Sequence, residues 1–337
     1  MSFFKLALVA FFIPLSTFAS ITVSGISSGA YMAQQFHAAF SNDVDGVGII
    51  AGGPYYCAKG KMIDALNRCM KTSLGVPQVL ESIAAAEKEA REGRIDPVHN
   101  LTSSKVYVLG GTSDSTVEPK VVQAVIDTYK AWKVPSENMK TETSLNVGHA
   151  FPTENFGNAC TVASQPPFIS KCGRDIAGEM LNHLMGPLQP KALANPTRLM
   201  SFNQLDGVTF DLDRLSMYKT AYAYVPLGCE NPERAGCRIH IAFHGCKQTV
   251  DDLKDTFMMK TGYNEWAESN RIVVFYPQAQ KNMLVNNPNG CWDWWGYTKE
   301  SYHTRSGPQM ERVFSLVQKL NRGEIKFTPA FFEDQNI

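Results

Sequence analysis

The sequence carries no excess of charge: 32 Lys and Arg balance 32 Asp and Glu across 337 residues. Binding to nucleic acid or to an anionic membrane draws on a basic surplus, so neither partner is expected. Near-zero charge also leaves little colloidal repulsion, which suits adsorption to a neutral, apolar surface. None of the eight cysteines forms a Cys-x-x-Cys pair, which argues against zinc or thioredoxin-like chemistry. Beyond the first nineteen residues no apolar run is long enough to cross a bilayer. There is no internal repeat and no low-complexity segment, which leaves out repeat architectures. What remains is 44% hydrophobic and 19% charged, a globular composition long enough for one large α/β domain or two smaller ones.

Residues 1–19 differ in kind from the rest. A short, singly positive start ending at Lys5 precedes an apolar stretch, 6–15, broken by Pro14, and Thr17-Phe18-Ala19 offers a cleavage site. This pattern predicts a signal peptide, and hence a periplasmic or secreted protein. Export changes how the cysteines read. Cys57, Cys69, Cys160, Cys172, Cys229, Cys237, Cys246 and Cys291 are even in number, as full oxidation requires. Eight cysteines allow 105 pairings, of which the nearest-neighbour set is the simplest. Each short loop so closed contributes roughly 2–3 kcal/mol in the chain-entropy picture.

Ser24-Gly25-Ile26-Ser27-Ser28-Gly29-Ala30-Tyr31-Met32 is the stretch around which the rest is organised. It contains Gly-x-Ser-x-Gly directly after the β-branched run Ile21-Thr22-Val23 and before a helical pattern over 30–40. Strand, Gly-flanked Ser and helix together make the context of a nucleophile elbow, as in α/β-hydrolases. The register selects Ser27 over Ser28, which is also followed by glycine. The competing explanation is an ordinary Gly/Ser turn.

Strands are predicted over 44–50, 105–110, 139–145, 218–225, 238–243 and 271–276, and helices over 79–91, 117–132, 174–185, 257–270 and 309–320. Alternating β and α elements describe a mostly parallel sheet flanked by helices. Asp114 follows the strand ending at Gly110, and His149 follows the strand ending at Leu145. The order Ser27, Asp114, His149 is that of an α/β-hydrolase triad, nucleophile then acid then base. Asp96 and Asp127 are weaker candidates, one before a strand and one inside a helix. A plain turn role for Asp114 and a solvated loop role for His149 are the alternatives.

A tetrahedral oxyanion needs two N–H donors. One comes from the residue after the nucleophile, here Ser28; the other comes from a loop marked by His-Gly after an earlier strand. In this chain the strand followed by His-Gly is Phe243-His244-Gly245-Cys246, far downstream of His149. The strands that ordinarily precede the elbow therefore come after the triad, which predicts a circular permutation. His244 is expected to position that loop rather than to transfer protons.

Together with Gly52-Gly53-Pro54-Tyr55, Gly148-His149-Ala150-Phe151-Pro152 and Asn289-Gly290-Cys291-Trp292-Asp293-Trp294-Trp295-Gly296-Tyr297, these motifs resemble the poly(3-hydroxybutyrate) depolymerases of the single-domain, circularly permuted α/β-hydrolase type. The resemblance covers nearly all of 20–337. It implies a triad of Ser27, Asp114 and His149, an oxyanion hole from the Ser28 and Cys246 amides, and a polymer crevice lined by Trp294 and Asn289. A Cys246 to Cys291 bridge would tie the oxyanion loop to the Trp-rich loop. Trp292, Trp294 and Trp295 read either as core or as lining of an apolar crevice. Many bacterial depolymerases of this kind append a linker and a separate polymer-binding domain; here Ile337 follows soon after the last helix, so binding to solid polymer is expected from the catalytic domain's own surface.

The expected activity is ester hydrolysis through an acyl-enzyme, on poly(3-hydroxybutyrate) or short-chain hydroxyalkanoate oligomers, by a monomer with no metal or cofactor. A general carboxylesterase or a feruloyl/acetyl-xylan-type esterase is the enzymatic alternative. A silent polymer- or surface-binding protein is the non-enzymatic one.

Overall fold

The computed structural model describes residues 20–209 and 212–332. The leader expected at 1–19 lies outside the described residues. Among them, strands β1 (Ile21–Ile26), β2 (Val44–Ile50), β3 (Lys105–Leu109) and β4 (Met139–Glu142) come first. Then β5 (Phe151–Thr153), β6 (Asn158–Ala159) and β7 (Ile169–Lys171) form a small sheet in the order β5-β7-β6. They are followed by β8 (Leu199–Asn203), β9 (Thr220–Tyr224), β10 (Arg238–Phe243), β11 (Ile272–Tyr276) and β12 (Thr328–Pro329).

The nine remaining strands make one sheet in the order β12-β8-β9-β11-β10-β1-β2-β3-β4. From β11 to β4 every neighbour is parallel, and β9, β8 and β12 extend the sheet antiparallel. The fold is a circularly permuted α/β-hydrolase. β1, the first strand, sits between β10 and β2, with Gly25 paired to Phe243 on one side and to Ile49 on the other.

Period-2 alternation sorts the strand side chains between two apolar layers. Ile239, Ile241 and Phe243 pack with Val23, Val47 and Ile49 under helix α1 (Ser28–Ala39) and the helices Pro119–Ala131 and Pro308–Asn321. Ala242, Ile50 and Leu109 face the other way, onto Ile176–Met185 and Tyr263–Asn270. Every residue of β1 and α1 is buried, which fits an element covered on both faces. The polar side chains of β1 are satisfied. His240 on β10 bonds Thr22 Oγ1 through Nδ1 at 2.8 Å and Ser24 Oγ through Nε2 at 2.7 Å, and Ser24 also meets Tyr263 OH at 2.7 Å.

The structure differs from the sequence-based expectations in several places, the small sheet of β5, β7 and β6 among them. The helix predicted over 257–270 is two, Thr256–Lys260 and Tyr263–Asn270, broken at Gly262 where φ is 91°. The strand predicted to reach 145 stops at Glu142, whose side chain caps the Ser144 amide and hydroxyl. β8 and β12 are not expected from the sequence, because they form a sheet edge without period-2 alternation: β8 buries Leu199 and Phe202, three positions apart, and both residues of β12 are exposed.

Candidate active site

Ser27 stands alone between the last residue of β1 and the first of α1, with φ 56° and ψ −124°. A non-glycine residue there is strained by about 1–3 kcal/mol and persists only when its surroundings hold it. Its N–H donates to Ile50 O at 3.0 Å, and its carbonyl accepts from Ala30 at 2.9 Å and Tyr31 at 3.2 Å. The flanking glycines allow the crossing. A Cβ at Gly25 would lie 2.1 Å from Gly29 O, and one at Gly29 would lie 2.4 Å from the carbonyl oxygens of both Phe243 and His244. The Gly-x-Ser-x-Gly spacing is thus the spacing at which strand, helix and the end of β10 touch.

The two adjacent serines part company. Ser28 is buried and its Oγ accepts the Trp292 N–H at 3.3 Å. Ser27 lines a cavity of about 390 Å³ that His149 also lines, and its hydroxyl makes no hydrogen bond among the described residues. His149 Nδ1 is 2.8 Å from Asp114 Oδ2. Asp114 Oδ1 in turn accepts the backbone N–H groups of Thr116 at 2.8 Å and Val117 at 2.9 Å. An ionised Asp is acceptor-only, so Nδ1 carries the hydrogen and Nε2 is left as the basic nitrogen. Both residues are more than nine-tenths buried, which keeps this pair short of competing water.

The amides of Ser28 and Cys246 have no acceptor among the described residues. Their neighbours do: Gly245 N–H is bonded to Gln248 Oε1 at 2.8 Å and Lys247 N–H to Asn289 O at 2.7 Å. Both amides thus keep their hydrogens free for an acceptor from outside the protein. His244 is buried and neutral, pushed down to about 4 by desolvation. Its Nε2 accepts from Ala279 N–H at 3.1 Å and its Nδ1 meets Gly245 O at 2.7 Å, so both ring nitrogens are spent on backbone.

No protein-family model matches the chain. It is 33% identical over 321 residues to a polyhydroxybutyrate depolymerase of Talaromyces funiculosus, covering 90% of each chain. It is 40% identical over 311 residues to a poly(3-hydroxybutyrate) depolymerase of Delftia acidovorans, covering 91% of this chain but 61% of that one, so it spans about three-fifths of that relative's length. The chain belongs to the poly(3-hydroxybutyrate) depolymerase family. Among solved structures it is similar to a PHB depolymerase serine-to-alanine variant complexed with an R3HB trimer, at TM-score 0.81 and 32% identity over 91% of this chain and 96% of that one. It is equally similar to the PHB depolymerase of Penicillium funiculosum, at TM-score 0.80 and 31% identity with the same coverage.

In this member of the family all eight cysteines are bonded, as Cys57–Cys69, Cys160–Cys172, Cys229–Cys237 and Cys246–Cys291. The last joins the loop after β10 to the Trp-rich loop. Asn289 and Trp294 both line the cavity, with Trp295 beside them. Trp294 stacks on Tyr31 at 4.1 Å between ring centroids. Trp292 is different: it is fully buried, packs edge-on to Phe243, and belongs to the core. A spacing of two residues does not reveal that division, since it depends on which ring faces β10.

Asp293, between them, was not singled out from sequence. Its buried carboxylate gathers the N–H groups of Trp295, Gly296, Tyr297 and Thr298 and the Thr298 hydroxyl, at 2.5 to 3.3 Å. Burial raises its carboxyl above the usual range, against the pull of those donors. Met62, Ala65 and Leu66, inside the loop closed by Cys57–Cys69, and Met70 just after it also line the cavity. No group of three or more His, Cys, Asp or Glu is placed to hold a metal among the described residues.

Proposed function

We propose that this chain is a serine esterase that hydrolyses poly(3-hydroxybutyrate) or short-chain hydroxyalkanoate oligomers through an acyl-enzyme. The observation that carries the proposal is the opening of Ser27 and His149 into one largely apolar cavity, with the Asp114 carboxylate behind the histidine. The relatives' activity as polyhydroxybutyrate depolymerases supports the same reading.

In this mechanism His149 Nε2 takes the proton of Ser27 Oγ as the oxygen attacks the ester carbonyl. The Ser28 and Cys246 amides receive the developing oxyanion, each donor being worth about 2.7–4 kcal/mol. Collapse expels the alcohol end of the chain, which takes the proton from His149. Water, deprotonated by His149, then attacks the acyl-Ser27 ester, and His149 returns that proton to Ser27 Oγ as the acid leaves. Asp114 holds the imidazole in the tautomer this cycle needs and stabilises the imidazolium. Trp294 and Asn289 line the bed on which a repeating, apolar ester lies.

Residues 20–337 act as one catalytic domain in this proposal, since strands from both halves share a sheet. Residues 1–19 direct export, in keeping with four disulfides, which form and persist in oxidising compartments. No helix among the described residues is long and apolar enough to cross a membrane.

The test compares wild type with Ser27→Ala. Wild type is expected to release 3-hydroxybutyrate from amorphous polymer and to hydrolyse a butyrate aryl ester, and Ser27→Ala to do neither. Aryl-ester or sugar-ester hydrolysis with no release from polymer would instead establish a general esterase.

A further inference from the structure

Two residues past Cys246 lies a side chain that the mechanism above does not use. Gln248 is only 2% exposed, yet it lines the same cavity as Ser27 and His149. Its Oε1 accepts the Gly245 N–H at 2.8 Å. Its Nε2 donates to the carbonyl oxygens of Pro167 at 3.1 Å and Phe168 at 3.3 Å. The Phe168 oxygen also accepts the Phe151 N–H at 2.9 Å, two residues after His149. One buried amide therefore joins the oxyanion loop to the segment that carries the histidine.

The Gly245 and Lys247 amides flank that of Cys246. With one held by Gln248 and the other by Asn289 O, the peptide between them has little freedom to rotate. An oxyanion donor contributes most when its direction is set before the charge arrives. The chemistry of the pocket also selects the side chain. Gly245 presents a donor and Pro167 and Phe168 present acceptors, so a group with an acceptor at one end and a donor at the other is required.

We infer that Gln248 is the positioning residue of the oxyanion hole, orienting the Cys246 N–H and coupling it to the His149 segment. This rests on the serine-esterase proposal. Gln248→Met keeps length and volume but has neither acceptor nor donor. For a butyrate aryl ester, its kcat is expected to fall on the order of ten- to hundredfold while KM changes little, since the lost interaction serves the transition state. A boronic acid that forms a tetrahedral adduct with the serine should lose affinity by the same factor as kcat/KM.

Gln248→Glu adds a readout that packing alone does not move. As a carboxylate it accepts from Gly245 but opposes the two carbonyls; once protonated it supplies one donor again. The ratio of its kcat/KM to that of wild type should therefore rise as pH falls. A Gln248→Met enzyme with wild-type kcat, beside an inactive Ser27→Ala, would overturn this inference and leave the esterase proposal intact. An active Ser27→Ala would overturn the esterase proposal itself. Should Gln248→Met fail to fold, a Gln248→Glu ratio independent of pH would be the refutation.

Discussion

Replacing Asp114 by Asn changes one atom, and the structure determines which way the new amide must face. Asp114 Oδ1 accepts two buried backbone N–H groups, from Thr116 and Val117, while Oδ2 faces His149 Nδ1. In the variant the single oxygen is claimed by the two amides, and Nδ2 is turned toward His149. The imidazole then accepts at Nδ1 and carries its hydrogen on Nε2, where a base is needed. Turning the amide over to restore the working tautomer strands two buried donors, at about 1–3 kcal/mol each, or about 2–6 kcal/mol in all. At the lower figure about 3% of molecules are turned over, so activity should fall at least about 30-fold. At the upper figure the loss approaches the 10⁴-fold, about 5.4 kcal/mol, that follows from a triad histidine held wholly in the wrong tautomer. The assay is kcat on a soluble butyrate ester, with the melting temperature as a check on folding and the ¹⁵N shifts of the His149 ring reporting the tautomer. A folded Asn variant losing less than about tenfold, or one whose Nδ1 still carries the hydrogen, would refute this account of the site.

Gly29→Ala is expected to abolish soluble, active protein, because its Cβ would sit 2.4 Å from two carbonyl oxygens at the end of β10; a normal yield of active enzyme would contradict the close crossing. Cys246→Ser with Cys291→Ser opens a 45-residue loop and should cost about 4 kcal/mol in urea unfolding. It should also lower kcat by freeing the oxyanion loop, and an unchanged kcat would show that the loop is held without the bridge. Four of the five buried histidines predict acid sensitivity: burial lowers His37 and His240 to about 3 and His244 and His303 to about 4. Their folded values lie below the unfolded value near 6.5, so the unfolded chain binds more protons between the two and stability falls as pH drops from about 6.5 toward 4. Each contributes up to about 1.4 kcal/mol per pH unit in that window. Equal urea midpoints at pH 7 and pH 5 would contradict their neutral burial.

Much of the site is written locally. Gly25 and Gly29 flank Ser27 because a strand, a helix and a third chain segment meet at that corner, and five residues suffice to record it. Strand period and turn chemistry likewise placed Asp114 and His149 in loops after strands, and the strand before His244-Gly245 is the one that returns to pair with β1. Those signals act over one element and one turn, so they survive in a single sequence. Other decisions are not local. Trp292 and Trp294 sit two apart on one loop, yet one is core against Phe243 and the other lines the cavity beside Tyr31. Gln248 looks like any polar turn residue until Pro167 and Phe168 arrive from eighty residues away. Which of two adjacent serines is tied down follows from the Trp292 amide reaching Ser28 across 264 residues, and the Cys246 amide stays unpaired between neighbours held by Gln248 and Asn289. The sequence alone determined the chemical groups and the corners on which they stand; only tertiary pairing decided which of them are satisfied by protein and which are left open to a substrate.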